Sequence, residues 1–211
     1  GVYRQLQPDV FSNSGVVVLG TEFVENIESE YTRQDCELKA FPRLARKIKA
    51  RFPKLQICLL GDALYSNQGV FDLCEELNWK WVATFKSGRL PTAFLEFQKI
   101  KVMTPENHIE HREAGRYQRI AWVNDLEHGG HRFGAFDCLT YNRDHEQQYF
   151  AWITNLPVRE STVRQLTNQG GRIRWKIENE GFNIQKNYGY ALENTYCYDL
   201  NGGKNYYYLL Q

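Results

Sequence analysis

The 211-residue sequence has no long stretch rich in proline, serine or glycine, and its six prolines are scattered along the chain. A flexible linker between separate domains is therefore not expected, and the length favours one domain with at most an inserted subdomain. No apolar run is long enough to cross a membrane, and no signal peptide is expected. The chain begins without Met and in the middle of a pattern, which indicates a fragment of a longer protein.

The cysteines form no close pair, so the sequence indicates neither a disulfide framework nor a structural zinc site. Cys58 and Cys74 lie in apolar patterns and are predicted to be buried thiols. This usage suits a reducing compartment, and we expect a cytoplasmic protein. The five positions are Cys36, Cys58, Cys74, Cys138 and Cys197.

The chain has little net charge, +1, so it is not basic as a whole, although its charges are segregated. Residues 22–37 are acidic, residues 43–54 are basic, and a second basic run extends from Arg159 to Lys176. Such basic runs contact nucleic-acid phosphates in some proteins and form solvated helix faces in others. Hydrophobic residues make up 42% and aromatic residues 14%, which is ample for a core and argues against disorder.

The first hundred residues combine helical and strand-like patterns. Residues 34–52 have apolar positions at helical spacing, and Pro42 is expected to kink this helix or delay its start. A buried strand at 55–60 precedes a helix that Ser66 is expected to cap, and a second core strand follows at 80–86. Two parallel strands with a right-handed crossover are therefore predicted. A hairpin is predicted in residues 1–24, and a helix opening at Pro91.

The pattern then changes to strands until about residue 157 and returns to helix from Ser161, with a break at Gly170–Gly171. We therefore expect an α/β fold with a mixed sheet flanked by helices. Residues 1–99 form the first part of the core, residues 100–157 a β-rich insertion, and residues 158–211 a helical part that completes the core.

Two carboxylates have the surroundings of a metal site. Asp62 directly follows a predicted buried strand, where ligands gather in α/β sheets, although an isolated Asp there also serves as a turn or cap residue. Glu178 lies four residues after Arg174 on a partly apolar helix face, where a plain surface ion pair is the alternative. Mg²⁺ prefers hard oxygen ligands of this kind.

These segments resemble bacterial insertion-sequence DDE transposases of the group with a Tyr–Arg–Glu–Lys signature. The run RIRWKIENEGF (172–182) is similar to the C-terminal motif of that family, in which Arg precedes the catalytic Glu by four residues. LLGDALYSN (59–67) with WKWVATFKSG (79–88) resembles the segment that carries the family's second catalytic Asp. QDCELKAFPRL and WITNL are similar to further stretches, so the resemblance covers roughly residues 16–195.

The resemblance implies a ribonuclease H-like fold with a β-rich insertion before the Glu-bearing helix. It implies two Mg²⁺ or Mn²⁺ ions held by Asp62 and Glu178, and phosphoryl transfer in DNA cleavage and strand transfer. DNA phosphates would be contacted by Arg172, Arg174, Lys176 and Lys186. The expected partners are transposon ends and target DNA, with a homodimer on the DNA and no membrane. The expected location is the bacterial cytoplasm, at the nucleoid.

The sequence departs from the family pattern at three points. Gly171 stands where the signature Tyr is expected. Gln185 stands where the Lys is expected, with Lys186 next to it. The family's first Asp has no counterpart, since Asp9 lies in a turn-like segment, so this chain alone is not expected to cleave DNA. The alternatives are a non-catalytic DNA-binding or interaction protein derived from a transposase fragment, and an unrelated α/β nuclease.

Other polar residues have plainer interpretations. His108, His111, His128 and His131 recur at three-residue spacing but lack a Cys or Glu partner, so solvated side chains are predicted rather than a metal site. Asp125 and Asp137 are predicted to be turn or surface residues. Glu37 lies near a helix start, where an acid favours the helix dipole, and it is also a candidate to support the metal ligands.

Overall fold

The computed structural model describes residues 4–5, 19–22, 33–113, 116–141, 146–173 and 205. The chain divides into two compact units, residues 1–172 and 173–211. The elements below belong to the first unit. The hairpin predicted in residues 1–24 lies almost wholly outside the described residues.

Strands and helices alternate at first and are followed by four consecutive strands. A short 3₁₀ turn, Ala63–Tyr65, follows the second strand, and a π-helical segment, Leu166–Gly171, continues the last helix. The elements are β1 (Arg4–Gln5), α1 (Arg33–Arg51), β2 (Ile57–Gly61), α2 (Gln68–Glu76), β3 (Lys80–Thr84), α3 (Pro91–Met103), β4 (His108–Glu113), β5 (Arg116–His128), β6 (His131–Tyr141), β7 (Gln147–Thr154) and α4 (Glu160–Gln165).

Within the described residues the strands form one mixed sheet in the order β1-β2-β3-β7-β6-β5-β4. β2 and β3 are parallel, with Leu59 opposite Trp81, which confirms the predicted pairing across α2. All other neighbouring pairs are antiparallel. Strands β4 to β7 confirm the β-rich stretch, and β7 joins it to β3. The chain is therefore a mixed α/β protein, as its sequence predicts.

Helix α1 begins before Pro42 and continues beyond it, so the expectation that this proline delays the start of the helix is wrong. A proline inside a helix removes one backbone hydrogen bond and costs about 3 kcal/mol. Burial of the apolar face on both sides of it, which includes Phe41, Leu44 and Ile48, offsets that cost.

Helix α2 is capped by Asn67 rather than by Ser66, which corrects the sequence-based expectation. The Asn67 side chain accepts a hydrogen bond from the Val70 amide at 3.1 Å. The Ser66 hydroxyl instead donates to the Thr84 carbonyl at 2.7 Å, at the end of the neighbouring strand. Ser66 is buried and lies one residue before the cap position. Its hydrogen bond joins the end of β3 to the segment that follows β2.

The described buried apolar residues form two clusters, because alternate side chains of each strand point to opposite faces of the sheet. The larger cluster contains Leu59 and Trp81 and is covered by α1, α2 and α3. The smaller contains Cys58 and Val82 and is covered by Val163 and Leu166. Both predicted thiols, Cys58 and Cys74, are buried, and burial raises the pKa of each to about 12.

Candidate functional site

Asp62 lies at the carboxyl end of β2, on the edge of the sheet where β3 also ends. The backbone remains extended there, with φ −79° and ψ −171°, and the side chain is exposed. Its Oδ1 accepts a hydrogen bond from the Leu64 amide at 2.7 Å and so caps the 3₁₀ turn. Asp62 is thus a cap residue, and its position is also the one at which ligands bind in α/β sheets.

The chain folds back tightly after Asp62, and Gly61 makes this possible. A Cβ at Gly61 would lie 2.6 Å from the Tyr65 Cβ, so any larger residue would force the turn to move. The Tyr65 hydroxyl donates to Glu37 Oε1 of α1 at 3.0 Å. Burial, followed by the negative charges of Glu37 and Asp62, raises the pKa of Tyr65, which therefore remains a neutral donor.

The edge of the sheet beside Asp62 is held by side-chain and backbone bonds. The Ser66 hydroxyl binds the Thr84 carbonyl, and the Phe85 amide donates to the Ala151 carbonyl at 2.8 Å. These bonds fix the ends of β2 and β3 and the adjoining part of β7. Asp62 therefore follows a strand end whose neighbours are joined by hydrogen bonds.

The two oxygens of the Asp62 carboxylate differ in their partners. One oxygen is engaged by Leu64, and within the described residues no hydrogen bond reaches the other. Across those same residues, no group of three His, Cys, Asp or Glu side chains could hold a metal ion. Glu178, Arg174, Lys176 and Lys186 lie outside the residues that the structure describes, so their positions relative to Asp62 stay predictions.

Gly171, which stands in place of the family Tyr, is buried against the indole of Trp152. A Cβ added at Gly171 would overlap three atoms of that ring. A tyrosine therefore has no room at this position unless Trp152 moves. The neighbouring residue, Arg172, is half-buried and holds its guanidinium 4.9 Å from the centre of the Phe150 ring. The helical turns end at Gly171, where the predicted break lies.

Acidic side chains pair with three of the six basic residues in the run at 43–54. Arg43 and Lys47 both bind Glu22, at 2.8 and 2.6 Å, and Arg46 binds Glu76 through two hydrogen bonds. For these three residues the pairs favour the interpretation as a solvated helix face over that of a phosphate-binding surface.

Asp137 is buried, so the prediction of a turn or surface residue is wrong. Its Oδ2 accepts hydrogen bonds from Lys101 of α3 at 2.5 Å and from the Tyr149 hydroxyl at 3.0 Å. The sequence did contain a signal, because Phe133, Ala135 and Asp137 alternate along β6 and the first two are core residues. The alternation places Asp137 on the face of the sheet that bears the larger cluster, and the long side chain of Lys101 supplies the counter-charge.

His131 is also not a solvated side chain. Its Nε2 lies 2.7 Å from Asp72 Oδ1 and its Nδ1 lies 3.3 Å from Glu75 Oε2, both on α2. Both ring nitrogens therefore face carboxylates of α2, and the side chain is engaged within the fold. Asp125, by contrast, is exposed, as predicted.

No protein-family model and no curated protein matches the chain. In addition, no helix among the described elements is both long and apolar enough to span a membrane.

Proposed function

We propose that the chain is the catalytic core of a DDE-type transposase with a ribonuclease H-like fold, acting on DNA by two-metal phosphoryl transfer. One observation carries the proposal. Asp62 is exposed at the carboxyl end of a parallel strand. Along the sequence, the four antiparallel strands β4 to β7 come after it and before the segment that contains Glu178. This is the order that the resemblance implies for the second Asp, the β-rich insertion and the Glu.

Asp62 and Glu178 are the residues that would hold Mg²⁺ or Mn²⁺. When bound, two such ions activate a water or a 3′-hydroxyl and stabilise the leaving oxygen. The Leu64 amide orients the Asp62 carboxylate through Oδ1. Arg174 would bind a DNA phosphate as a bidentate fork, and Arg172, Lys176 and Lys186 would add affinity that is independent of sequence.

Manganese binding tests the two carboxylates directly. Titration of Mn²⁺ followed by electron paramagnetic resonance should show binding to the wild-type chain. Asp62→Asn and Glu178→Gln should each weaken it by about tenfold or more, because each removes a ligating charge. Glu96→Gln, an exposed acid on α3, is the charge-matched control and should bind as the wild type does. Unchanged binding in both site variants would refute the proposal.

A nicking assay on supercoiled DNA addresses the third carboxylate. Because only two of the three are assigned, we expect no Mg²⁺- or Mn²⁺-dependent nicking by this chain. Nicking that Asp62→Ala abolishes would show that another residue completes the site.

A non-catalytic DNA-binding protein derived from such an enzyme is the second candidate. Gly171 favours it, because the signature Tyr has no room against Trp152. This candidate predicts DNA affinity that falls with salt and does not respond to divalent ions or to Asp62→Asn. The transposase proposal predicts that Mn²⁺ strengthens DNA binding and that Asp62→Asn removes this increment.

A further inference from the structure

A pocket of about 390 Å³ lies at the edge of the sheet opposite to Asp62. It is lined by the C-terminal end of β7, the following Asn155–Arg159 segment and the adjoining parts of β5 and β6. Because β7 is antiparallel to β3, its C-terminal end and the carboxyl ends of β2 and β3 are at opposite edges. The volume is within the range of small-ligand sites, roughly 300–1,000 Å³.

A β-bulge shapes one wall of this pocket. Asn124 and Asp125 of β5 together oppose Gly134 of β6, where the strand register shifts. Asp125 adopts φ +60°, a left-handed conformation that few residues other than glycine take. A Cβ at Gly134 would lie 2.7 Å from Val158 Cγ2, so glycine is required where the two walls meet. Bulges of this kind redirect side chains and are frequent beside functional sites.

Two asparagines in the lining of the pocket are held by hydrogen bonds within the protein. The side-chain amide of Asn124 donates to the Val158 carbonyl at 2.8 Å. The Asn155 side chain accepts from the Trp81 amide at 3.0 Å and donates to the Trp79 carbonyl at 3.1 Å. Because these amides are bonded within the protein, recognition of a ligand depends mainly on the charged side chains at the rim.

Two exposed arginines, Arg132 and Arg159, stand at that rim. Within the described residues neither forms an ion pair, although Glu127 is the cross-strand neighbour of Arg132. They differ in this from Arg43 and Arg46 of α1, whose charges are met by acids. Among the lining residues that the structure describes, Asp125 carries the only negative charge.

We propose that this pocket binds a phosphoryl group through the Arg132 and Arg159 guanidinium groups, whose fork geometry suits phosphate oxygens. The phosphate belongs either to a DNA backbone or to a small phosphorylated ligand. The chemistry of recognition is the same in both, and the pocket does not depend on the proposed catalytic site.

Pyrophosphate and DNA are the two probes. Pyrophosphate at about 10 mM should raise the Tm of the wild-type chain, since a ligand that binds the folded state stabilises it. For a duplex of about 20 base pairs, the logarithm of the binding constant should fall linearly with the logarithm of salt concentration. Arg132→Gln/Arg159→Gln should abolish the pyrophosphate shift and reduce the magnitude of that slope by about 0.9 for each DNA phosphate that the variant no longer neutralises.

Two further variants separate a local site from a general charge effect. Arg112→Gln/Arg119→Gln removes two exposed arginines from β4 and β5, outside the pocket, and should leave the pyrophosphate shift intact. Asp125→Asn removes the opposing charge with a residue that also tolerates positive φ, so it should strengthen binding of pyrophosphate. A purely structural role for the rim would not predict this gain.

The outcomes are distinct. If Arg132→Gln/Arg159→Gln loses the pyrophosphate shift and also has a smaller salt slope for DNA, the pocket is a DNA-phosphate site. If it loses the pyrophosphate shift alone, the pocket is a site for a small phosphorylated ligand. No pyrophosphate shift in the wild type, or an equal loss in the control pair, overturns the proposal. Failure of the chain to bind DNA, with the pyrophosphate shift retained, counts against the transposase function and leaves this site standing.

Discussion

Two aspartates on the same sheet, Asp62 and Asp137, have opposite surroundings. Asp137 is buried within β6, where Lys101 and Tyr149 both donate to one of its oxygens. Asp62 is exposed beyond the end of β2, and the bond it accepts from the described residues comes from a backbone amide. The first carboxylate has its counter-charge within the fold, and the second has none among those residues.

The source of the counter-charge distinguishes a structural carboxylate from one that is available for function. A buried carboxylate with a bonded cation is a stabilising element whose removal leaves the cation without a partner. An exposed carboxylate at a strand end costs little to maintain and remains available to an external cation. We therefore expect large effects on stability and none on metal binding at Asp137, and the reverse at Asp62.

The largest effect is expected from Asp137→Asn. It leaves Lys101, three-quarters buried, beside a neutral amide, and should lower the free energy of unfolding by about 3 kcal/mol. Urea denaturation followed by circular dichroism measures this change. Replacement of both partners, Asp137→Leu/Lys101→Met, should cost less than the single change, because no charge is left buried. A single variant within about 0.5 kcal/mol of the wild type would contradict this assignment.

Gly171→Ala should have the next largest effect, about 2 kcal/mol, because the added methyl overlaps the Trp152 indole. Gly88→Ala is the matched control, since nothing lies within 4 Å of a Cβ built there. Denaturant unfolding of both variants gives the comparison. An equal stability of the two would show that Trp152 moves aside, and the absence of the family Tyr would then have no steric cause.

The parallel strands and α2 could be predicted from the sequence, because their patterns are local. The apolar run of β2 and the helical spacing of Val70, Phe71 and Cys74 each determine their element without reference to the rest of the chain. The tight turn between β5 and β6 is likewise a local feature, because its two consecutive glycines, Gly129 and Gly130, both adopt positive φ. Asp62 was placed correctly for the same reason, since it follows such a run directly.

The partners of Asp137 and His131 could not be predicted, because they come from helices far along the sequence. Lys101 is 36 residues before Asp137, and Asp72 is 59 residues before His131. No periodicity within β6 indicates which helix covers it. The pocket depends on a bulge at Asp125 and on the packing of Val158, and both arise only when distant segments meet.

Glu22 is a paired carboxylate whose contribution to stability should depend on pH. Burial alone would raise its pKa, but hydrogen bonds and charge from Lys47 and Arg43 lower it below the ordinary value of 4.5. A lowered pKa in the folded state contributes stability that is present above pH 4.5 and is lost as pH falls through the folded value. Glu22→Gln should therefore cost about 1 kcal/mol at about pH 7 and little near about pH 3. Urea unfolding at both pH values measures this difference, and a cost independent of pH would exclude the ion pairs as its origin.

Asp62→Asn should have the smallest effect on stability, within about 0.5 kcal/mol of the wild type, because asparagine also accepts the cap bond from the Leu64 amide. Asp62→Ala, which removes the cap, should cost about 1 kcal/mol. Mn²⁺ binding should be weakened equally by both variants, since each lacks the charge. The two variants thus distinguish the role of Asp62 as a cap from its proposed role as a metal ligand. If Asp62→Asn unfolds as easily as Asp137→Asn, Asp62 is a structural residue and the distinction between the two aspartates fails.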